Sequence, residues 1–268
     1  MDFSRVILMT DLDGTLLTDD KRILPKDMAA INRFREGGGI FTVATGRGYS
    51  MARSIAEKLE LDAPAVLFNG AAVFDFREDK FLWRCEIGEQ AVDIINLIAD
   101  RFPDIGVEVL QEHTVFVPFL NETEKWHLDL ESVRPDIRPL EEIPAGGWLK
   151  VLFAYPPEKM DELVRFVGER PELRGVQWVR SAPMFFECLP KGIDKAAGYG
   201  ELIRVIGAED RFTAAAGDFM NDLHMIENAD LGAAVASAQP EVKAAADIVL
   251  CDNNSGAMAE LIEYIGRL

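Results

Sequence analysis

Two aspartates that follow the first apolar run of the chain have a spacing suited to phosphoryl transfer. Asp11 and Asp13 come directly after residues 6–10 and are succeeded by Gly14 and Thr15. A carboxylate that attacks phosphorus forms a reactive acyl phosphate, so Asp11 is a candidate nucleophile. Asp13 could protonate the leaving oxygen and then deprotonate water, provided that nearby carboxylates raise its pKa. The alternative is an ordinary Asp-Gly turn, and this segment alone does not decide between the two.

A second acidic group follows a later apolar run. Asp218 comes directly after residues 212–217, and Asn221 and Asp222 lie three and four positions further on. An early helical turn would bring these side chains to one side. With Asp11 they would form a hard oxygen site, which suits Mg²⁺ much better than zinc. The alternative is a helix N-terminus, where acidic residues are favoured.

Groups suited to binding an anion stand at two other places. Thr45, Gly46 and Arg47 offer a hydroxyl and backbone N–H groups at a strand-to-helix turn, where anions bind well. Lys195 begins a predicted helix and would neutralise a phosphoryl oxygen. Lys191 competes for the same role, and spacing alone does not choose between the two lysines.

The predicted elements bring these groups to one edge of a sheet. Short apolar runs at residues 6–10, 40–44, 65–68 and 212–216 end at polar residues or glycine and alternate with helical patterns. Such runs are typical of strands buried on both faces of a parallel sheet. The ligand crevice of a parallel α/β sheet lies at the carboxyl ends of its strands. We therefore predict an α/β fold with a doubly wound, Rossmann-like parallel core.

The middle of the chain has a different rhythm. Helical spacing near residues 92–102 is followed by short strand patterns and by an irregular, charged stretch with several prolines. This region is typical of a separate α+β module. We predict a core domain formed by residues 1–82 and 187–268, and an inserted cap domain at residues 83–186.

Composition excludes several classes of partner. The net charge is −18, from 28 basic and 46 acidic residues, so nucleic acid and anionic membranes are unfavourable partners. The cysteines Cys85, Cys188 and Cys251 are too few and too far apart for a disulfide framework or a zinc site, which favours a cytoplasmic location. Neither a signal peptide nor a membrane-spanning run is expected. The oligomeric state, monomer or homodimer, stays open.

The four motifs, taken in order, resemble those of haloacid dehalogenase-like hydrolases of the Cof-type branch. That family carries D-x-D-G-T, a Ser or Thr after a strand, a Lys, and G-D-x-x-N-D, and the pattern L-P-K-G-I-D-K places the family lysine at Lys195. The resemblance implies an Mg²⁺ enzyme with Asp11 as nucleophile and metal ligand. It implies that Asp13 is the general acid/base, with its backbone carbonyl on the metal.

The resemblance also assigns the remaining site residues. Thr45 and Lys195 would hold the phosphoryl group, Asp218 would ligate Mg²⁺, and Asp222 would act through metal-bound water. Further contacts to the substrate or its phosphate are expected from Leu12, Gly46, Arg47 and Asn221.

The position of the insert indicates what kind of substrate to expect. The large insert lies between Thr45 and Lys195, which resembles the second (C2) cap type, a lid that admits small molecules and excludes macromolecules. We therefore expect a phosphatase acting on a sugar phosphate or a phosphorylated cofactor. A phosphomutase is the alternative, and a non-catalytic phospho-aspartate switch or binding protein is a remote one. Candidate cap contacts to the substrate are Gln111, Glu112, Trp126, Trp178 and Arg180.

Overall fold

The computed structural model describes residues 2–131 and 133–268. Its strands are numbered in chain order: β1 (Val6–Thr10), β2 (Ile40–Val43), β3 (Ala65–Leu67), β4 (Ala72–Asp75), β5 (Lys80–Arg84), β6 (Gly106–Leu110), β7 (Val115–Phe119), β8 (Asp136–Ile137), β9 (Lys150–Ala154), β10 (Gln177–Ala182), β11 (Phe185–Leu189), β12 (Phe212–Gly217), β13 (Leu231–Val235) and β14 (Ile248–Leu250). The helices are α1 (Pro25–Glu36), α2 (Tyr49–Lys58), α3 (Gln90–Arg101), α4 (Glu122–Leu130), α5 (Pro157–Gly168), α6 (Lys195–Ile206), α7 (Leu223–Asn228), α8 (Pro240–Ala245) and α9 (Ala257–Arg267).

A five-stranded parallel sheet in the order β14-β13-β12-β1-β2 forms the core and confirms the predicted fold class. The central strand β1 pairs on one side with β12, from the far end of the chain, and on the other with β2. Both faces of β1 are covered, because Val6 and Leu8 join the core formed with α1 and α9, whereas Ile7 and Met9 join the core formed with α6. This burial explains the continuous apolar run.

A second, six-stranded sheet is built from the middle of the chain. Its order is β10-β11-β9-β6-β7-β8, and its pairs are antiparallel except for β7 with β8. Helices α3 and α5 contribute Ile95, Ile98 and Leu163 to a separate hydrophobic core with this sheet. The prediction of an α+β module between two parts of an α/β core is confirmed. The domain limits at residues 83 and 187 stay a prediction.

The third predicted strand is paired differently from the expectation. Strand β3 meets the parallel sheet at the isolated Ala44–Val66 bridge, and it forms an antiparallel sheet with β4 and β5. The β4–β5 hairpin was not predicted from the sequence. Its second strand is only half buried and begins and ends in charged residues, Lys80 and Arg84, so it lacks the apolar run that identified the core strands.

No helix within the described parts of the chain combines the length and the apolar character that a membrane span requires.

Candidate active site

The carboxylate of Asp11 and the ammonium of Lys195 meet at the carboxyl edge of the parallel sheet. Asp11 follows β1 directly, and Lys195 is the first residue of α6. Lys195 Nζ donates to Asp11 Oδ1 at 2.6 Å and to Asp222 Oδ1 at 2.5 Å. All three side chains are buried, whereas Lys191 is exposed. The structure therefore brings Lys195, and not its competitor, to Asp11.

Asp218 completes a cluster of three carboxylates. Oxygen atoms of Asp11, Asp218 and Asp222 lie within 4.8 Å of one another. Thr15 Oγ1 donates to Asp218 Oδ1 at 3.0 Å, and Asp222 Oδ2 accepts from the backbone N–H groups of Asp218 and Phe219. The short 3-10 helix Met220–Asp222 supplies the early turn that the sequence predicted.

Two glycines make this convergence possible. Gly14 has φ +84°, and a Cβ there would lie 2.7 Å from Asp218 Oδ2. A Cβ on Gly217 would lie 2.4 Å from the Cβ of Asp222. Side chains at either position would push the carboxylates apart. The glycines of the D-x-D-G-T and G-D-x-x-N-D segments therefore set how closely the acids approach.

The electrostatics of the cluster call for added positive charge. Burial, followed by the carboxylates of Asp222 and Asp218, raises the pKa of Asp11 well above its ordinary value, although Lys195 opposes the shift. Burial and the neighbouring Asp222 raise the pKa of Asp218 to about 7. Burial alone would lower the pKa of Lys195, but Asp11 and Asp222 raise it above its ordinary value, so this lysine stays charged. The single positive charge of Lys195 does not balance three carboxylates. A divalent cation that prefers oxygen ligands fits the carboxylate oxygens of this cluster.

Asp13 has an environment different from the one expected. Arg47 donates to both of its carboxylate oxygens, from Nε at 2.8 Å and from Nη2 at 2.9 Å, and Lys21 Nζ donates at 2.5 Å. Burial tends to raise the pKa of Asp13, but these two cations lower it below its usual range. The expectation that neighbouring carboxylates raise this pKa is therefore wrong for this conformation, because the side chain faces Arg47 and Lys21. The Asp13 side chain is also not part of the carboxylate cluster, so its predicted metal contact through the backbone carbonyl stays a prediction.

The other predicted phosphate-binding residues lie around the same point. Thr45 is buried and lines the cavity, and its Oγ1 accepts from the backbone N–H of Arg47 at 3.2 Å. Gly46 lines the cavity beside it. The Leu12 side chain belongs to the hydrophobic core, which leaves only its backbone for a phosphate contact.

Asn221 leads to a buried polar network that joins the core to the cap. Asn221 Nδ2 donates to Asn69 Oδ1, and Asn69 Nδ2 donates to Glu187 Oε2 in β11 of the cap sheet. Lys150 of β9 lies 3.1 Å from the same Glu187 oxygen and donates to the carbonyl of Gly46 at 2.7 Å. Ser181 Oγ donates to the second oxygen, Glu187 Oε1, at 2.5 Å.

We call Lys150, Glu187, Asn69 and Asn221 the core–cap network. Lys150 and Glu187 were not singled out from the sequence. Their signal was available, because each is a charged residue within a short strand that is otherwise mostly apolar. Such a charge is buried only when it is paired.

A cavity of about 460 Å³ lies between the carboxylate edge and the cap. Of the predicted cap contacts, Trp126 lines it. The other four do not line this cavity: Trp178 and Arg180 line a separate recess, Gln111 bonds to the carbonyls of Pro144 and Gly146, and Glu112 pairs with Arg84. The recess at Trp178 and Arg180 also borders Lys195 and Asn221, and a contact of any of these four cap residues with the substrate stays a prediction.

Comparison with known proteins agrees with this arrangement. The profile of haloacid dehalogenase-like hydrolases matches residues 8–262. An HMP-PP phosphatase of Serratia proteamaculans is 30% identical over 87% of this chain and 84% of its own length. A pyridoxal phosphate phosphatase of Escherichia coli is 27% identical over 97% of each chain.

A solved structure extends the likeness to the fold. A haloacid dehalogenase-like hydrolase from Bacteroides thetaiotaomicron superposes with a TM-score of 0.81 and 27% identity, over 97% of this chain and 98% of the other. The predicted Cof-type resemblance and the predicted enzyme class, a phosphoric monoester hydrolase, agree with these findings. The chain belongs to the haloacid dehalogenase-like hydrolase family.

Proposed function

We propose that this protein is an Mg²⁺-dependent phosphatase that hydrolyses a small phosphorylated metabolite through an aspartyl-phosphate intermediate on Asp11. The observation that carries the proposal is the buried contact of Asp11 with Lys195 and two further carboxylates at the floor of a cavity covered by the cap. Two of the relatives are phosphatases named for HMP-PP and pyridoxal phosphate, which supports a small phosphate ester as the substrate.

The chain's own residues account for both halves of the reaction. An Asp11 oxygen attacks phosphorus, the bond from phosphorus to the leaving oxygen breaks, and that oxygen takes a proton from Asp13. Asp13 then accepts a proton from the water that attacks the phospho-aspartate, which releases phosphate and restores Asp11. Lys195, which stays protonated beside Asp11, would offset charge on the phosphoryl oxygens.

The carboxylates of Asp11, Asp218 and Asp222 would hold Mg²⁺. The bound ion would neutralise charge on the phosphoryl group during transfer. Thr45 and the backbone at Leu12 and Gly46 would hold the remaining phosphoryl oxygens.

Arg47 would link substrate binding to the protonation of Asp13. A phosphate dianion that enters the cavity competes with Asp13 for the guanidinium, since Arg binds phosphate and carboxylate in the same bidentate way. Loss of this ion pair would raise the pKa of Asp13 and favour the protonated form that a general acid requires. The low pKa in the present conformation is thus compatible with its proposed role.

The proposed function is tested by assaying phosphate release from a panel of phosphate esters with Mg²⁺ or EDTA. We expect metal-dependent release by the wild type and none by Asp11→Asn, which keeps the shape of the side chain but removes the nucleophile. Release that persists in Asp11→Asn would disprove the aspartyl-phosphate mechanism. Turnover that requires an added bisphosphate and releases no free phosphate would instead support the phosphomutase. A long-lived phosphoprotein without turnover would support the phospho-aspartate switch.

The cytoplasmic location, the absence of nucleic-acid and membrane partners, and the monomeric or homodimeric state stay predictions.

A further inference from the structure

Three ionisable side chains on the cap side of the cavity take no part in the proposed chemistry. Glu108 lies in β6, and Glu124 and His127 lie on α4. Both glutamates are fully buried, and His127 is 9% exposed. None of the four glutamate carboxylate oxygens has a hydrogen-bond partner of good geometry in the described parts of the chain. Burying two carboxylates and an imidazole together is costly unless they share protons.

The two carboxylates converge on one nitrogen of His127. Nδ1 lies 3.0 Å from Glu108 Oε1 and 3.9 Å from Glu124 Oε2. One N–H group serves one acceptor well, so the second carboxylate has to carry a proton of its own. Burial raises the pKa of Glu124 to about 8, which makes it the protonated member. Burial also tends to raise the pKa of Glu108, but the adjacent His127 lowers it below its ordinary value. Although burial opposes it, pairing with Glu108 and Glu124 raises the pKa of His127 to about 10.

This arrangement leaves the other ring nitrogen of His127 for a ligand. His127 lines the cavity, and its Nδ1 is taken up by the glutamates. A charged imidazole carries a proton on both nitrogens, so Nε2, the ring nitrogen not engaged by the glutamates, can donate a hydrogen bond to a ligand. The glutamates lie behind the ring and fix its protonation state.

The surface beside this donor is apolar. Trp126 and Leu130, which flank His127 on α4, are 49% and 50% exposed and line the cavity. The ring of Phe185 lies 4.5 Å from the ring of His127, measured between centroids. Large apolar side chains that stay exposed in a concave site are typical of ligand-binding walls.

Three other polar side chains on the cap side of the cavity are already bonded within the protein. Ser181 and Lys150 are both held by Glu187, and Glu131 pairs with Arg47. Apart from Glu108, whose carboxylate lies beside His127, a sugar with several hydroxyl groups would find few free partners here, and each unpaired buried hydroxyl is costly.

We propose that the wall formed by His127, Trp126, Leu130 and Phe185 is the leaving-group subsite, and that it takes a planar, ring-bearing group with a hydrogen-bond acceptor. The substrate class is therefore a phosphorylated heteroaromatic compound and not a phosphorylated polyol. The ring packs against the apolar side chains, and its acceptor receives the Nε2–H of His127. The inference rests on the proposed phosphatase function and narrows its substrate.

The test compares three phosphate donors: pyridoxal 5′-phosphate as the ring-bearing probe, glucose 6-phosphate as the polyol, and acetyl phosphate, whose leaving group is too small to reach the wall. We expect the wild type to have a higher kcat/KM for pyridoxal 5′-phosphate than for glucose 6-phosphate. His127→Gln should lower the pyridoxal 5′-phosphate value about 10- to 100-fold, as expected for a hydrogen bond from a charged group. Acetyl phosphate turnover should change less than about twofold.

Two further variants keep the test decisive. His113→Gln replaces an exposed cap histidine that does not line this cavity, and it should leave all three values unchanged. Phe185→Leu removes the ring beside His127 without leaving a buried charge, and it should also lower only the pyridoxal 5′-phosphate value. A wild-type kcat/KM for glucose 6-phosphate that equals or exceeds the value for pyridoxal 5′-phosphate would overturn the inference. So would an equal loss of kcat/KM for all three donors in folded His127→Gln. Neither outcome would contradict the proposed phosphatase function. No Mg²⁺-dependent release of phosphate from any of the three donors by the wild type would count against the proposed function, and the inference would fall with it.

Discussion

The guanidinium of Arg47 donates to both carboxylate oxygens of Asp13, and its third nitrogen pairs with Glu131 of the cap helix α4. One side chain thus connects the proposed general acid of the core to the cap. If a substrate phosphate takes up the same guanidinium, as proposed, the protonation of Asp13 will depend on what occupies the cavity.

Arg47→Met should raise the pKa of Asp13, since the burial remains while the strongest ion pair is lost. The measurement is the titration of the Asp13 carboxyl carbon by NMR in both proteins. A lowered folded pKa contributes stability above the unfolded pKa and loses it as the pH falls, so the wild type should lose more stability than the variant on acidification. Arg53→Met, at an exposed ion pair on α2, serves as the control. An unchanged Asp13 titration would contradict the assignment.

The raised pKa of Asp218 should make both the stability of the protein and its stabilisation by Mg²⁺ depend on pH. Its pKa is about 7 in the folded protein and 3.8 in an unstructured chain, so the folded state binds more protons between these values. Stability without metal should therefore fall as the pH rises from about 4 to 7. The increase in Tm on adding Mg²⁺ should be larger at pH 8 than at pH 5.5, because the metal must displace this proton.

Asp218→Asn should weaken both effects, whereas Asp161→Asn, at an exposed ion pair of the cap, should preserve them. Thermal unfolding at each pH with Mg²⁺ or EDTA gives the comparison. An Mg²⁺ shift of full size in Asp218→Asn would show that the metal binds elsewhere.

Gly14→Ala should impair Mg²⁺ binding as well as stability. The new Cβ would lie 2.7 Å from Asp218 Oδ2, and the residue would keep φ near +84°. The matched control is Gly192→Ala, which has φ +75° but nothing within 4 Å of its Cβ. Both variants should lose about 1–2 kcal/mol from backbone strain. Only Gly14→Ala should raise the Mg²⁺ concentration needed for half-maximal activity, and an equal effect in Gly192→Ala would argue against the close approach.

Lys150→Met should destabilise the protein by about 3–5 kcal/mol, because it leaves the buried carboxylate of Glu187 without its cation. It should also lower kcat, since the carbonyl of Gly46, in the proposed phosphoryl-binding turn, loses its donor. Glu187→Gln in the Lys150→Met background should recover part of the stability, which a double-mutant cycle in urea would measure. The control Lys159→Met removes an exposed, 4.0 Å ion pair and should cost less than about 1 kcal/mol. Additive effects of the two changes would show that the pair is not coupled.

The residues at the ends of the core strands could be predicted from the sequence because these strands are continuous apolar runs. A strand buried on both faces is a continuous apolar run, and its carboxyl end is marked where the run stops. Asp11, Thr45 and Asp218 were found in this way, and the structure brings all three to one cavity.

The cap contacts could not be predicted in the same way. In the cap sheet, β10 is half buried, and β6, β9 and β11 each carry a charged residue among apolar ones. Which face of this sheet meets the core domain depends on the relative placement of the two domains. Lys150 and Glu187 are paired with each other across strands, so neither has a local sequence partner. The environment of Asp13 was misjudged for a related reason, since Lys21 and Arg47 reach it from separate loops.

The pairing of β1 with β12 bears on how this protein folds during synthesis. Val6, near the start of the chain, is held beside Phe212, and the whole inserted domain lies between them. Strand β1 therefore emerges from the ribosome long before β12. Until β12 is made, the edge of β1 that pairs with it stays exposed. The antiparallel cap sheet, whose strands are much closer in sequence, can form earlier. We expect the cap to fold first and the carboxylate cluster, which needs Asp11 and Asp222 together, to be among the last parts of the molecule to assemble.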